Sequence, residues 1–373
     1  MAELKGRVAL LSDVHGNMEA LEAVLDDIAY RNAVAKRKAN VKPIAHIWFL
    51  GDAVGYGPQP LECFERVMQV CDPGFVLAGN HELATRTKIN TPSIGLSNFF
   101  TGKGAEEGIH WTVRQLYGCD APIERTSEGK TAKEAMEKLT QELLNRVQSP
   151  NYLETIADEH SRFLRVKARI PLSIGDRFSK EIEVPQSAHK QVMMDPHDGQ
   201  VIRDYYKKID IIDRGHMAAQ SMQQLPVKIN SIQGVMLVHD NHVNPGDMKY
   251  LLDAEHQQLT SNAYLIDDNT FAQLKEQGIN RLFFGHSHIP GIYKNKNFPG
   301  IVITNVGSVG LPRENFVATY CIWNPEADGD VRIIELDMAG WEKTRDKAIK
   351  AGLPDKLSKA YESAQRKEAR YID

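Results

Sequence analysis

Short apolar runs alternate with segments of helical periodicity over the first 90 residues of the chain. The run RVALLS, residues 7–12, predicts a buried strand, and NMEALEAVLDDIAY, residues 17–30, places its apolar residues at helical spacing. IAHIWFLGD predicts a second strand, PQPLECFERVMQV a helix that begins at its proline, and GFVLAGNHE a third strand. This alternation predicts an α/β fold, in which ligands bind beyond the carboxyl ends of the strands.

The alternation stops near residue 90 and resumes near residue 230. The segment TPSIGLSNFFTGKGAEEG, residues 91–108, predicts a loop, and TAKEAMEKLTQELLNRVQ, residues 131–148, predicts an amphipathic helix with a capping box at Thr131 and Glu134. We therefore expect residues 1–373 to form a single α/β domain with a large, partly helical insertion at approximately 90–230. The insertion could serve as a cap over the site, a dimer contact or a plain decoration.

The pattern of strands and helices returns in the last third of the chain. GVMLVHDNH, INRLFFGHSH, GIVITNVGSVG and TYCIWNPE predict strands, and NTFAQLKEQG predicts a helix. Residues from approximately 335 to 373 are amphipathic and charged, which predicts a C-terminal helical tail packed on the outside.

Composition narrows the classes of function. Hydrophobic residues make up 42% of the chain, and the formal net charge is -4. A buried core is therefore expected, and without a basic excess no stable nucleic-acid binding is expected. No apolar run approaches the ~20 residues of a membrane span, and the first residues lack a secretory pattern. The four cysteines are scattered, without C-x-x-C spacing, which predicts reduced thiols in a cytoplasmic protein.

Side chains that bind transition metals follow five of the predicted strands. They are Asp13, His15, Asp52, Asn80, His81, His239, His286 and His288. In D-x-H and H-x-H the two side chains are two residues apart, which on an extended backbone directs both to the same face. Imidazole and carboxylate ligands suit Mn, Fe, Zn, Ni or Co better than Ca or Mg, and we take Mn as the first candidate. The set exceeds one tetrahedral site but divides evenly over two divalent ions, ~3.5–4 Å apart, if Asp52 bridges them.

The ordered motifs DVH, GDAVGYG, GNHE, a lone histidine after a strand, and GHSH resemble those of the calcineurin-like metallophosphoesterase superfamily. SDVHGNMEALEAVL and NVGSVGLPR resemble its small bacterial phosphodiesterase branch. The resemblance implies a four-layer α/β/β/α metallophosphoesterase sandwich with a dinuclear metal centre at its rim. It assigns the residues to two ions as follows: the first to Asp13, His15, Asp52 and His288, the second to Asp52, Asn80, His239 and His286. His81 would face the substrate and not a metal.

The implied reaction is hydrolysis of a phosphate ester by a hydroxide that bridges the two ions. His81 would stabilise the phosphoryl oxygens and, if protonated, donate a proton to the leaving oxygen, with Glu82 or another carboxylate orienting it. His242 would lie at the surface or the rim of the pocket. Arg313 would meet a substrate phosphate or form a salt bridge that holds its turn.

Departures from the resemblance narrow the substrate. GDAVGYG lacks the Asp-Arg of the protein serine/threonine phosphatase branch, and GNHELATR lacks its Ser-Arg. Because such arginines clamp the phosphate of a monoester, a small phosphodiester or nucleotide substrate is favoured. A phosphomonoesterase or protein phosphatase, and a non-catalytic scaffold on the same fold, are the alternatives. The sequence leaves the oligomeric state open.

Overall fold

A computed structural model describes a part of the chain: residues 4–38, 41–90, 96, 103–117, 167–170, 180–183, 214–215, 217–313, 317–327, 330–337, 341–354 and 357. The helix predicted at residues 131–148 lies outside these residues. The chain divides into two compact units, the first Met1–Asn90, Ile94–Thr112 and Gln220–Asp373, the second Thr91–Ser93 and Val113–Ala219. The single domain, the insertion at approximately 90–230 and the tail at approximately 335–373 stay predictions.

The described helices and strands follow one another as the periodicity predicts in the first 70 residues. The helices are α1 Met18–Ala35, α2 Pro60–Val70, α3 Asn80–Asn90, α4 Lys103–Tyr117, α5 Asp268–Glu276 and α6 Trp341–Ala351. The strands are β1 Arg7–Leu11, β2 Ile44–Phe49, β3 Lys167–Ile170, β4 Lys180–Glu183, β5 Lys228–Ile229, β6 Val235–Val238, β7 Tyr250–Leu252, β8 Ala263–Leu265, β9 Arg281–Phe284, β10 Gly291–Lys294, β11 Val302–Asn305, β12 Val317–Asn324 and β13 Asp330–Asp337.

Two sheets make up the body of the first unit. The first has the order β13-β12-β1-β2, in which β1 is parallel to β2 and antiparallel to β12. The second has the order β10-β11-β9-β6-β5, with β6, β9 and β11 parallel. Two further sheets have two strands each: β7 with β8 in the first unit, and β3 with β4 in the second unit. The carboxyl ends of β1 and β2 in one sheet, and of β6 and β9 in the other, carry the residues of the site.

The two sheets pack face to face through an apolar core. Val8 and Leu10 of β1 lie in one buried cluster with Trp48 of β2 and with Leu237 and Phe283 of the second sheet. After Arg7, strand β1 is apolar because both of its faces are covered.

Helices cover the outer faces of both sheets. Helix α1 packs on β2 and β12 and also contacts α6, while Phe271 and Leu274 of α5 pack on Met236 and Leu282 of the second sheet. The layers therefore run helix, sheet, sheet, helix. This arrangement confirms the predicted α/β sandwich.

Two predicted elements differ from the structure. In the segment predicted as a third strand, only Val76 forms a bridge, with Phe49. The segment leaves the sheet there because the N–H of Ala78 donates to the carbonyl of Pro226 at 2.9 Å, and α3 begins at Asn80. Helix α4 begins at Lys103, inside the segment predicted as a loop.

Candidate metal centre

The predicted ligands lie just past the ends of four strands and at the start of one helix. Strand β1 ends two residues before Asp13, β2 ends three residues before Asp52, and His239 follows β6 directly. Asn80 opens α3. All of these side chains are buried in the first unit, together with His286 and His288 after β9. The structure thus brings every predicted site residue to one edge of the two sheets.

The backbone at five of these residues is left-handed. Asp13, His15, Asp52, His286 and His288 have φ between 50° and 64°. The prediction that D-x-H and H-x-H converge on an extended backbone is therefore wrong, since both strands end before these motifs. Side chains with a Cβ adopt this conformation at a cost, and such residues cluster at functional sites.

Glycine at position 51 allows the two sheets to approach each other at the site. Gly51 has φ +104°, and a Cβ there would lie 2.8 Å from Nδ1 of His239. A side chain at this position would therefore clash with a predicted ligand from the other sheet.

Asp13, His15 and His288 form the first group of facing donor atoms. Nε2 of His15 and Nε2 of His288 lie 2.9 Å apart, and Asp13 Oδ1 lies 3.6 Å and 3.2 Å from them, respectively. The Nδ1–H of His15 donates to the carbonyl of Val54 at 3.1 Å, and that of His288 donates to the carbonyl of Leu311. These bonds select the tautomer in which each Nε2 points into the group with a lone pair.

Asp52, Asn80, His239 and His286 form the second group. Nε2 of His239 lies 3.2 Å from Asp52 Oδ2 and 3.0 Å from Asn80 Oδ1, while its Nδ1–H donates to the carbonyl of Leu50. Nε2–H of His286 donates to the carbonyl of Met248 at 3.3 Å, which leaves Nδ1 as its ligating atom. Asp52 Oδ2 also lies 3.8 Å from Nε2 of His15, so this carboxylate adjoins both groups.

The donor atoms fit divalent metal ions. Ligands that bind one ion at about 2.1 Å lie roughly 3–3.5 Å from one another, as these atoms do. Two imidazole lone pairs 2.9 Å apart repel each other unless a cation lies between them. In addition, Asp13 Oδ1 is buried and accepts no hydrogen bond within the described residues. The arrangement needs positive charge at its centre.

The charges of the cluster shift its pKa values in opposite directions. Burial opposes ionisation of Asp13, but His288 and His15 outweigh it and hold the pKa of this carboxyl well below its usual range. Burial lowers the pKa of His239, yet the adjacent Asp52 carboxylate outweighs it and raises the pKa to about 10. Burial and the charge of His239 lower the pKa of His286 to about 3, so its ring is neutral. A protonated His239 must lose its proton to bind a metal, because neutral imidazoles and ionised carboxylates are the forms that bind metals.

His81 lies beside both groups on the first turn of α3. Its Nε2 is 4.0 Å from Asp52 Oδ2, and its ring centroid lies 4.7 Å from that of His15 and 4.6 Å from that of Tyr56. The backbone N–H of His81 donates to Asp52 Oδ1 at 2.8 Å. Burial, followed by the charges of the other histidines, holds the pKa of His81 well below its usual value despite the opposing effect of Asp52. His81, Asp52 and His15 also lie close enough together to share an ion.

The Glu82 carboxylate holds the backbone around Asp52. Oε2 accepts from the N–H groups of Asp52 and Gly79 at 2.8 and 2.9 Å, and Oε1 from those of Ala53 and Val54 at 2.8 and 3.2 Å. Of the carboxylates expected to orient His81, Asp52 accepts the backbone N–H of His81 and lies 4.0 Å from its Nε2. Burial and the charge of Asp52 raise the pKa of Glu82 to about 7, against the backbone donors that lower it.

The segment after β6 is ordered by Asp240, which the sequence did not single out as functional. Its carboxylate accepts from the N–H groups of Asn241, Gly246 and Met248, and the carbonyl of Met248 then faces His286. His242 is buried and its Nε2–H donates to Gln273 at 3.0 Å, which contradicts the surface position; the alternative position at the rim of the pocket stays a prediction. The sequence signal for the role of Asp240 was its place in HDNH, just before a turn that contains Gly246 and whose N–H groups an aspartate can bind.

The sequence model of the calcineurin-like phosphoesterase family matches residues 6–290. The chain belongs to this family. The His and Asp clusters are candidate ligands for divalent metal ions. No helix of the described residues is long and apolar enough to cross a membrane.

Individual proteins and solved structures are similar to this chain only over part of its length or at low sequence identity. An uncharacterized protein of Methanocaldococcus jannaschii is 40% identical over 114 residues, which cover 30% of this chain and 38% of that protein. A metallophosphoesterase structure from Sphaerobacter thermophilus is similar with a TM-score of 0.48 at 20% identity, covering 97% of this chain and 100% of the other. A protein serine/threonine phosphatase from Saccharomyces cerevisiae gives a TM-score of 0.37 at 10% identity, covering 89% and 80% of the two chains.

Proposed function

We propose that the protein is a dinuclear metal-dependent hydrolase of phosphodiester or nucleotide substrates. Two groups that share Asp52 would hold the ions: Asp13, His15, Asp52 and His288, and Asp52, Asn80, His239 and His286. The observation that carries the proposal is the pair of buried imidazole lone pairs 2.9 Å apart. When bound, the divalent ions supply a nucleophile from water and Lewis-acid stabilisation of the phosphoryl oxygens.

The protein's own residues hold the ligands in place before a substrate arrives. Backbone carbonyls of Val54, Leu50 and Leu311 fix the tautomers of three histidines, and Glu82 fixes the loop that carries Asp52. Outer bonds of this kind typically contribute 10–100-fold to metal affinity or activity.

His81 is the proposed catalytic residue that is not a metal ligand. It is buried beside Asp52 and His15, on the turn that also carries Asn80. Burial keeps its ring neutral, and a phosphate anion bound beside it would favour the protonated form. His81 would then donate a hydrogen bond to a phosphoryl oxygen or a proton to the leaving oxygen, a contribution of ~10²–10⁴-fold.

Several finer features belong to the same proposal. The sequence lacks the phosphate-clamping arginines of the protein phosphatase branch, which supports a diester or nucleotide substrate over a monoester. The mixed imidazole and carboxylate set supports Mn²⁺ as the ion. Cys63, Cys71 and Cys321 are buried free thiols, which supports a cytoplasmic location.

We propose that the insertion at approximately 90–230 acts as a cap that selects the substrate.

The test is hydrolysis of bis-p-nitrophenyl phosphate and p-nitrophenyl phosphate by the purified protein, with Mn²⁺ and after chelation. We expect metal-dependent turnover that is faster for the diester. Absence of metal-dependent turnover of both esters would contradict the enzyme and leave the scaffold alternative. Faster cleavage of the monoester would favour the phosphomonoesterase alternative.

The role of His81 has a separate test. His81→Ala should lower kcat for the diester by ~10²-fold or more while the bound metal content stays that of the wild type. His256→Ala is the matched control, because His256 bonds to Asp253 outside the site. Full activity of His81→Ala would remove its catalytic role.

A further inference from the structure

Tyr250 links Arg313 to a proposed ligand of the metal centre. The ring of Tyr250, at the start of β7, lies 4.3 Å from the ring of His286 with an interplanar angle of 19°. The guanidinium carbon of Arg313 lies 5.6 Å from the centroid of Tyr250, and Nη2 donates to the Tyr250 hydroxyl at 3.4 Å. The cation is thus one aromatic ring away from a proposed ligand.

The backbone that carries Arg313 is attached to the metal centre. Two residues before it, the carbonyl of Leu311 accepts the Nδ1–H of His288. The N–H of Leu311 donates to Ser308 Oγ, and that hydroxyl donates to the carbonyl of Asp13 at 2.8 Å. The position of Arg313 is therefore coupled to two proposed ligands.

Arg313 supplies a fixed positive charge beside the metal centre. A guanidinium is positive at any physiological pH and offers a planar fork of donors that matches phosphate oxygens.

The location of the cation indicates which part of a substrate it meets. It lies against the Tyr250 ring that stacks on His286, and it is not within either group of ligands. An anion that contacts Arg313 would thus be a neighbour of the phosphoryl group that reacts. A nucleoside diphosphate or polyphosphate carries such a neighbouring phosphate, whereas a simple diester does not.

We propose that Arg313, supported by Tyr250, binds a second phosphate of the substrate and so selects nucleotides that contain a phosphoanhydride. This inference rests on the proposed function and specifies its substrate class. It assigns to Arg313 a substrate contact and to Tyr250 a positioning role.

The test is isothermal titration of the Mn²⁺-loaded protein with ADP and with AMP, with free Mn²⁺ in excess and blank titrations for metal binding by the nucleotides. Both ligands carry the same α-phosphate, so the ratio of their affinities isolates the second phosphate. We expect the wild type to bind ADP more tightly than AMP, and Arg313→Met to reduce that ratio by about 10–100-fold. Arg313→Lys, which keeps the charge but loses the fork, should fall between the two, as should Tyr250→Phe.

The control variant is Arg332→Met, because Arg332 is an exposed arginine paired with Asp330 on another edge of the first sheet. Metal content and thermal midpoint of each variant establish that the site is intact. Equal affinities of the wild type for ADP and AMP, or an unchanged ratio in both Arg313 variants, would overturn the proposal. Failure of the hydrolysis assay by the wild type is a separate result, since the titrations require no turnover.

Discussion

Replacing Glu82 by Gln tests whether its carboxylate holds the backbone around Asp52. The side chain is buried, and each of its two oxygens accepts two backbone N–H groups. An amide of the same shape has one oxygen, so in either orientation its NH₂ group would face two N–H donors. Each unsatisfied buried donor costs ~1–3 kcal/mol, and the free energy of unfolding should therefore fall by about 2–6 kcal/mol.

Such a loss is large compared with the ~5–15 kcal/mol that stabilises a typical domain. Urea unfolding followed by circular dichroism measures it, and the midpoint should fall while the slope of the transition stays the same. Glu255→Gln, at an exposed position, is the matched control and should change stability by less than ~0.5 kcal/mol. A loss below ~1 kcal/mol for Glu82→Gln would refute the reasoning, because the four bonds would then not be contributing.

Three other perturbations have defined outcomes. Asn17 caps α1 through Ala20 and donates to the buried carbonyl of Gly310, so Asn17→Ala should cost about 2–3 kcal/mol in thermal unfolding; a change under ~0.5 kcal/mol would contradict this. Asp240→Asn should speed hydrogen exchange at Met248, whose N–H it binds, and unchanged protection there would show that another group holds the turn. Chelation should lower the thermal midpoint, and Mn²⁺ at 100 times its Kd should restore about 2.7 kcal/mol; a midpoint insensitive to both would argue against the proposed ligands.

Much of the fold follows from local pattern. The apolar run before Asp13 predicts β1, because a strand buried on both faces is continuously apolar. The helical spacing after Asn17 predicts α1, because a helix buried on one face repeats its apolar residues every three or four positions. The third strand was overpredicted, since GFVLAG has the composition of a strand but pairs only at Val76. The N–H of Ala78 donates to the carbonyl of Pro226, a residue distant in sequence. A local pattern does not contain such a contact.

The candidate site shows the same division. Residue types and their order along the chain are enough to identify the predicted ligands. They do not predict the backbone conformation that brings those ligands together. Asp13 and His15 meet because both have left-handed φ values, which single-sequence spacing does not reveal. The sequence leaves open which carboxylate lies beside His81; adjacent residues on a helix do not face the same way, and the carboxylate of Glu82 turns to the loop at Asp52.

The position of β1 between β2 and β12 has a consequence for how the protein is made. Asp13 is synthesised long before the strand that completes the sheet around β1, which ends at Asn324. At about 5–20 residues per second, roughly 15–60 s separate the synthesis of the two. For most of this time the Asp13 carboxylate lacks both His288 and the β12 strand. The first group of proposed ligands is therefore completed only after most of the described chain has been synthesised.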